Sequence, residues 1–186
     1  MMSKPRALIL LHEGFEEIEA VTPIDLLSRA GVEVIQASLG NTLRVTGRSG
    51  ITISAVYSLQ DLSTTDYDLV ILPGGPGINK LRRNVLLCNL LKEQARASRM
   101  IACICAAPLI LLDAGLLSGE TRYTAHPSTA GELPKAASDP VVVDGAIITS
   151  TGAGTAIEFS LELVRQVAGN QVAKEIADAI SWQHAV

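Results

Sequence analysis

Short apolar runs recur along this chain: RALILL at 6–11, DLVIL at 68–72 and MIACI at 100–104, the first two apolar after an opening charged residue. A strand with no polar face must be covered on both sides, as in a parallel sheet between two helical layers. The stretches between these runs carry helical spacing. Over 16–30, Ile18, Val21, Ile24 and Leu27 recur every three residues, and Gly31 supplies a stop. Residues 32–38 predict a second strand, 86–97 a helix, and 106–114 a helix closed by Gly115. Residues 141–143 and 146–149 predict a hairpin around Asp144-Gly145, a strong two-residue turn signal. Helices are predicted over 153–168 and 171–180. Strands alternating with helices predict an α/β protein, a three-layer α/β/α sandwich with a doubly wound, mostly parallel sheet. No internal repeat or low-complexity linker interrupts the 186 residues, so a single domain over 1–186 is expected.

Composition excludes several classes. With 48% hydrophobic and 18% charged residues the chain is neither disordered nor collagen-like nor a coiled coil. A domain of this size buries roughly 70% of its unfolded surface and needs no disulfide or metal staple. A net charge of −4 and 3% aromatic residues argue against specific nucleic-acid binding, which calls for a basic stripe or stacking platforms. The longest apolar run, 101–112, falls short of the roughly 20 residues that span a bilayer. His12 and Glu13 interrupt the N-terminal apolar run before a signal-peptide core of about 7–15 residues can form. A cytoplasmic protein without a membrane segment is expected. In a reducing compartment, Cys88, Cys103 and Cys105 are not a disulfide framework.

In doubly wound sheets ligands bind beyond the carboxyl ends of the strands. The turns after Leu11, Leu72, Ile104 and Thr149 therefore hold the candidate site. After Ile104, in ACICAAP, Cys105 stands where a strand turns sharply into a helix between small residues. This is the setting of a nucleophile elbow, and a helix N-terminus favours a thiolate. Cys103 lies inside the strand and reads as core; Cys88 lies on a helix and reads as packing. Cys103-x-Cys105 lacks the spacing of a zinc site, and no metal is expected. After Leu72, PGGPG offers unobstructed backbone N–H groups, but no Gly-Lys-Ser/Thr follows to make a phosphate loop. After Leu11 come His12-Glu13-Gly14-Phe15-Glu16-Glu17-Ile18-Glu19, which is not HExxH. Glu16 and Glu17 read as partners of the helix dipole. Glu19 lies further on, and Pro23 cannot donate to its carbonyl, so a kink there is expected to aim Glu19 across the strand ends. His126, in YTAHPST, is the only histidine between the Cys105 helix and the next strands and is the available base; His184 reads as tail. The Gly-rich 150–155 reads as close packing of a helix on the sheet rather than as an anion site.

Together, RALILLHEGFEEIEAVTPIDLLSRAGV, YDLVILPGG, IACICAAP, AHP at 125–127 and ITSTGAGTAIEFSLELV, in that order, cover nearly the whole chain. The sequence resembles the ThiJ/PfpI superfamily, in the branch of the parkinsonism-associated protein deglycase and its bacterial relatives. The resemblance implies a flavodoxin-like homodimer that needs no cofactor. It implies Cys105 as an oxidation-prone nucleophile, Glu19 as the acid bonded to its sulfur and His126 as proton acceptor. It implies Gly75 and Ala106 as the oxyanion-hole donors. The activity implied is glyoxalase or protein deglycase on small α-oxoaldehydes or glycated proteins; the alternative is a redox-sensing holdase chaperone signalled by Cys105 oxidation. Two positions depart from relatives. Ala106 stands where the protease-like branch has histidine, and ITISAV at 51–56 has no second thiol. A protonated Glu19 donating to a Cys105 thiolate is the expected ground state, with the acid's pKa raised and the thiol's lowered.

Overall fold

The computed structural model describes residues 4–62 and 67–183. His184 lies outside the described residues. The central sheet is built from β1 (Arg6–Leu11), β2 (Glu33–Ser38), β5 (Tyr57–Ser58), β6 (Leu69–Leu72), β7 (Met100–Ile104), β8 (Val141–Asp144) and β9 (Ile147–Ser150). Its order is β5-β2-β1-β6-β7-β9-β8. Every pairing is parallel except that of β8 with β9. The chain order thus reverses at β1, which starts the sheet in the middle and leaves its carboxyl end beside that of β6.

Alternate residues of the inner strands feed two separate cores, as unbroken apolar strands require. Ala7, Ile9, Leu11, Leu69, Ile71, Ala102 and Ile104 pack on one face. Helices α1 (Glu17–Arg29), α5 (Ala156–Ala168) and α6 (Asn170–Ala179) cover that face. Leu8, Leu10, Val70, Leu72, Ile101 and Cys103 pack on the other face. There α3 (Val85–Arg96) and α4 (Pro108–Asp113) supply the cover, with the single turn of α2 (Ile78–Leu81) beside them. The three-layer, mostly parallel α/β/α expectation holds.

Several boundaries differ from the expectation, each for a local reason. Asp144 pairs with Ile147, so the hairpin turns at Gly145-Ala146 rather than Asp144-Gly145. Gly145, at φ +57°, takes the left-handed position. Helix α4 begins at Pro108, with Ala107 as its cap, because proline's fixed φ and missing N–H suit the first helical position. Residues 153–155 form a 3₁₀ turn ahead of α5. A two-stranded ribbon, β3 (Arg44–Thr46) with β4 (Thr52–Ser54), was not expected. Its strands are three residues long and mostly polar, so no alternation marks them.

Candidate active site

Cys105 follows the last residue of β7 with φ +66°, a left-handed conformation that costs a side-chain-bearing residue about 1–2 kcal/mol. Backbone bonds hold it there. Its N–H donates to the Ser150 carbonyl (2.9 Å), and its own carbonyl accepts from the His126 N–H (2.9 Å). The left-handed turn lifts the side chain out of the strand's alternation. Cys105 packs against the α1 face of the sheet, while Cys103 is fully buried on the opposite face. The expected elbow is present, but α4 starts three residues later than Cys105. The groups at the sulfur are therefore the Gly75 and Ala106 N–H groups of the two adjoining turns, which both stabilise its anion.

Glu19 reaches this sulfur from α1. The helix is capped by Glu16 and starts at Glu17, so Glu19 is in the first turn, and the helix runs on through Pro23. Position in the first turn, rather than a proline kink, carries its carboxylate to the strand ends. Its Oε2 accepts the Gly74 N–H at 2.8 Å, and the carboxyl is in hydrogen-bond reach of the Cys105 thiol. Glu19 is 1% exposed. Burial raises its pKa to about 7, against the pull of the Gly74 bond. The thiol departs from expectation. Burial and the neighbouring Glu19 charge push it up to about 12, opposed by the Gly75 and Ala106 N–H groups. Two like charges in one confined site are costly, so the pair carries at most one negative charge near neutrality. A thiolate forms there only with Glu19 holding the proton.

The glycines at 74 and 75 are there for want of space. A Cβ on Gly74 would lie 2.6 Å from Cys105 Cβ and 2.8 Å from Glu19 Oε2. Gly75 has φ +108°, and a Cβ there would run into the Gly14 carbonyl. Its N–H faces the sulfur because the preceding Gly74 carbonyl accepts the Glu16 N–H at 3.0 Å.

His126 shares a cavity of about 440 Å³ with Cys105, Gly75 and Ala106, and its side chain is exposed. Its Nδ1 accepts the Ser128 N–H (3.2 Å) and lies 2.8 Å from Ser128 Oγ. An amide can only donate, so the neutral ring carries its proton on Nε2. That tautomer leaves an Nε2–H on a ring that lines the same cavity as Cys105.

Sequence reasoning missed the far wall of this cavity. Arg48 enters it from the β3–β4 turn, and its Nη1 pairs with Glu16 Oε2 at 3.1 Å. The buried Glu17 accepts the Ser49 N–H at 2.7 Å. Glu16 and Glu17 thus dock that turn onto the start of α1 instead of serving only the helix dipole. Arg82, also unflagged, clamps Asp113 and Glu132 with paired bonds of 2.6–2.8 Å and ties the loop after His126 to α4. Gly152 borders both the His126 ring and Glu19 Oε1. Among the described residues no group of three or more His, Cys, Asp or Glu could hold a metal ion.

A thiol on a left-handed strand-to-helix turn, over the carboxyl edge of a doubly wound α/β sheet, has the backbone geometry of a nucleophile elbow. The chain belongs to the DJ-1/PfpI family, whose profile matches residues 5–166. It is 37% identical over 184 residues to protein dj-1beta of Drosophila melanogaster, covering 96% of this chain and 97% of that one. It is 36% identical over 174 residues to the glutathione-independent glyoxalase DJR-1.2 of Caenorhabditis elegans, covering 91% and 92%. The solved structure of oxidized Toxoplasma gondii DJ-1 superposes with a TM-score of 0.91 at 34% identity, covering 97% of this chain and 100% of that one. The chain spans only 41% and 45% of the length of DJ-1 homologs B and A of Arabidopsis thaliana, each 36% identical to it.

Proposed function

We propose that this protein is a cofactor-free glyoxalase or deglycase acting through Cys105 on methylglyoxal or on its early adducts with amines and thiols. The observation that carries the reading is the buried Glu19–Cys105 pair beneath two backbone N–H donors, open to a cavity large enough for a small oxoaldehyde. A relative bearing the name of a glyoxalase supports the substrate class. With Glu19 protonated, the Cys105 thiolate attacks the aldehyde carbon and forms a C–S bond. The oxygen that takes up the electron pair rests on the Gly75 and Ala106 N–H groups, which is where such donors contribute most. Glu19 then gives its proton to that oxygen, leaving a neutral hemithioacetal and a carboxylate. The carboxylate takes the hydrogen of the former aldehyde carbon as a proton. The electron pair moves toward the adjacent ketone, whose oxygen accepts a bond from His126 Nε2–H. Glu19 returns the proton to the former ketone carbon, and the hydroxyl proton on the sulfur-bearing carbon passes to the former ketone oxygen; the product is a lactoyl thioester, which water cleaves to lactate and free thiol.

The test is lactate release from methylglyoxal by the reduced protein, with Cys105→Ser as control. No lactate from reduced wild type, or undiminished release from the variant, overturns the reading. Cys105, partly exposed while Cys88 and Cys103 are buried, favours a second reading as a holdase signalled by oxidation. That reading requires client aggregation to be suppressed by the oxidised protein and not by the reduced one. A homodimer belongs to either reading. Ile18 and Val21 stand 53% and 46% exposed on α1, an apolar outer stripe that a second copy would cover. Among the described residues no helix is long and apolar enough to cross a membrane.

A further inference from the structure

The Gly75 N–H is presented by a diglycine turn. Peptide units flanked by glycine meet little steric resistance to rotation. A rotated unit would turn a carbonyl, not an N–H, toward the sulfur. One contact holds that unit itself, and two hold the peptide unit before it. The Glu16 N–H holds the Gly74 carbonyl, and Glu19 Oε2 holds the Gly74 N–H. The third is His12, the residue after β1. Its Nε2 lies 3.1 Å from the Pro73 carbonyl in a buried contact, and its Nδ1 lies 3.3 Å from the Glu13 carbonyl. The ring is 2% exposed, so water cannot replace it.

Pro73 C=O and Gly74 N–H are the two ends of one peptide unit. His12 holds one end and Glu19 the other. The neutral ring has one N–H, and in the Nε2–H tautomer it donates to the Pro73 carbonyl. We propose that His12 is the positioning residue of the anion-stabilising turn, fixing the Pro73–Gly74 peptide so that Glu19 and the Gly75 N–H stay directed at Cys105. His12 is not among the residues that line the cavity around Cys105, so it acts through this turn. The proposal rests on the reading of Cys105 as the reactive thiol. Its test therefore measures that thiol directly as well as turnover.

Three variants separate the possibilities. His12→Leu keeps the bulk and deletes the donor. His12→Gln places an amide N–H near the position of Nε2. His12→Asn reaches only the position of Nδ1. For each, the rate of Cys105 alkylation by iodoacetamide at neutral pH is measured, together with kcat and KM for methylglyoxal. Loss of a whole oxyanion donor costs about 10²–10³ in rate, so loss of its support should cost about 10-fold. The expected result is alkylation and kcat about 10-fold lower in His12→Leu and His12→Asn, KM within about 2-fold, and both rates restored to within about 3-fold in His12→Gln. If His12→Leu does not fold, the contrast of Gln with Asn carries the test. Equal rates in all folded variants, an equal loss in Gln and Asn, or an effect confined to KM would overturn the proposal. Wild-type protein without methylglyoxal turnover, but with the alkylation pattern above, would refute the glyoxalase reading and leave the role of His12 standing.

Discussion

Replacing Glu19 by Gln should remove a pH dependence of stability that the buried carboxyl imposes. In the folded protein its pKa is raised from the ordinary 4.5 to about 7 by burial. A raised acid holds its proton longer in the folded than in the unfolded chain. Between these values the folded state binds more protons, so stability falls as pH rises. The contribution is intact below pH 4.5 and is lost once pH passes about 7. The gap corresponds to about 3 kcal/mol. Gln is uncharged at every pH, and its side-chain oxygen can still accept the Gly74 N–H. The difference in unfolding free energy, variant minus wild type, should therefore grow by about 3 kcal/mol from pH 4.5 to pH 8. Urea melts at half-unit pH steps and one protein concentration measure it. Groups remote from Glu19 contribute equally to both proteins and cancel, and the comparison stops at pH 8, below the range in which the coupled Cys105 thiol ionises. Burial lowers the pKa of His12 and works with the opposite sign, its stability being lost as pH falls. Parallel curves, or a gap that widens toward acid, would refute the claim that burial dominates at Glu19.

Further outcomes are expected. Stoichiometric peroxide should oxidise Cys105 before Cys88 or Cys103, since both others are buried and Cys105 alone lines a cavity that admits the oxidant; peptide mass mapping reads the order. Gly74→Ala should destabilise by about 2–4 kcal/mol, from overpacking against Cys105 and Glu19, and should silence Cys105 toward iodoacetamide; a native melting temperature with normal alkylation would count against it. Ile18→Glu with Val21→Glu should convert a 38–40 kDa species (about twice the chain mass) to monomer in sedimentation; a wild type that is already monomeric sinks the dimer expectation.

The sheet was legible where burial leaves no choice of residue. β1 and β7 fall on the expected residues because RALILL and MIACI can only be two-sided core. The rule that ligands sit at strand ends then led to Cys105, Glu19 and the glycine turn. Features set by tertiary partners were not legible. Glu16 and Glu17 looked like ordinary helix-start acids because their partners, Arg48 and Ser49, sit about 32 residues away on an unmarked ribbon. His12 looked like a broken metal motif because its partner is a carbonyl 61 residues on. The direction of the Cys105 shift was misjudged because sequence shows a helix start but not how much water the turn excludes.

The left-handed turn at Cys105 also decides what its neighbour can do. In a regular strand, residues 103 and 105 would share a face, and two thiols there could exchange oxidation states. Here Cys103 faces the α3 side of the sheet and Cys105 the α1 side. Cys88 belongs to α3, on the Cys103 side. A sulfenic acid at Cys105 therefore meets no resolving thiol in its own chain. It must be recycled by a thiol arriving through the cavity mouth, or proceed to sulfinate. One backbone angle thus separates a self-contained disulfide relay from a site whose redox lifetime is set by the concentration of thiols outside it.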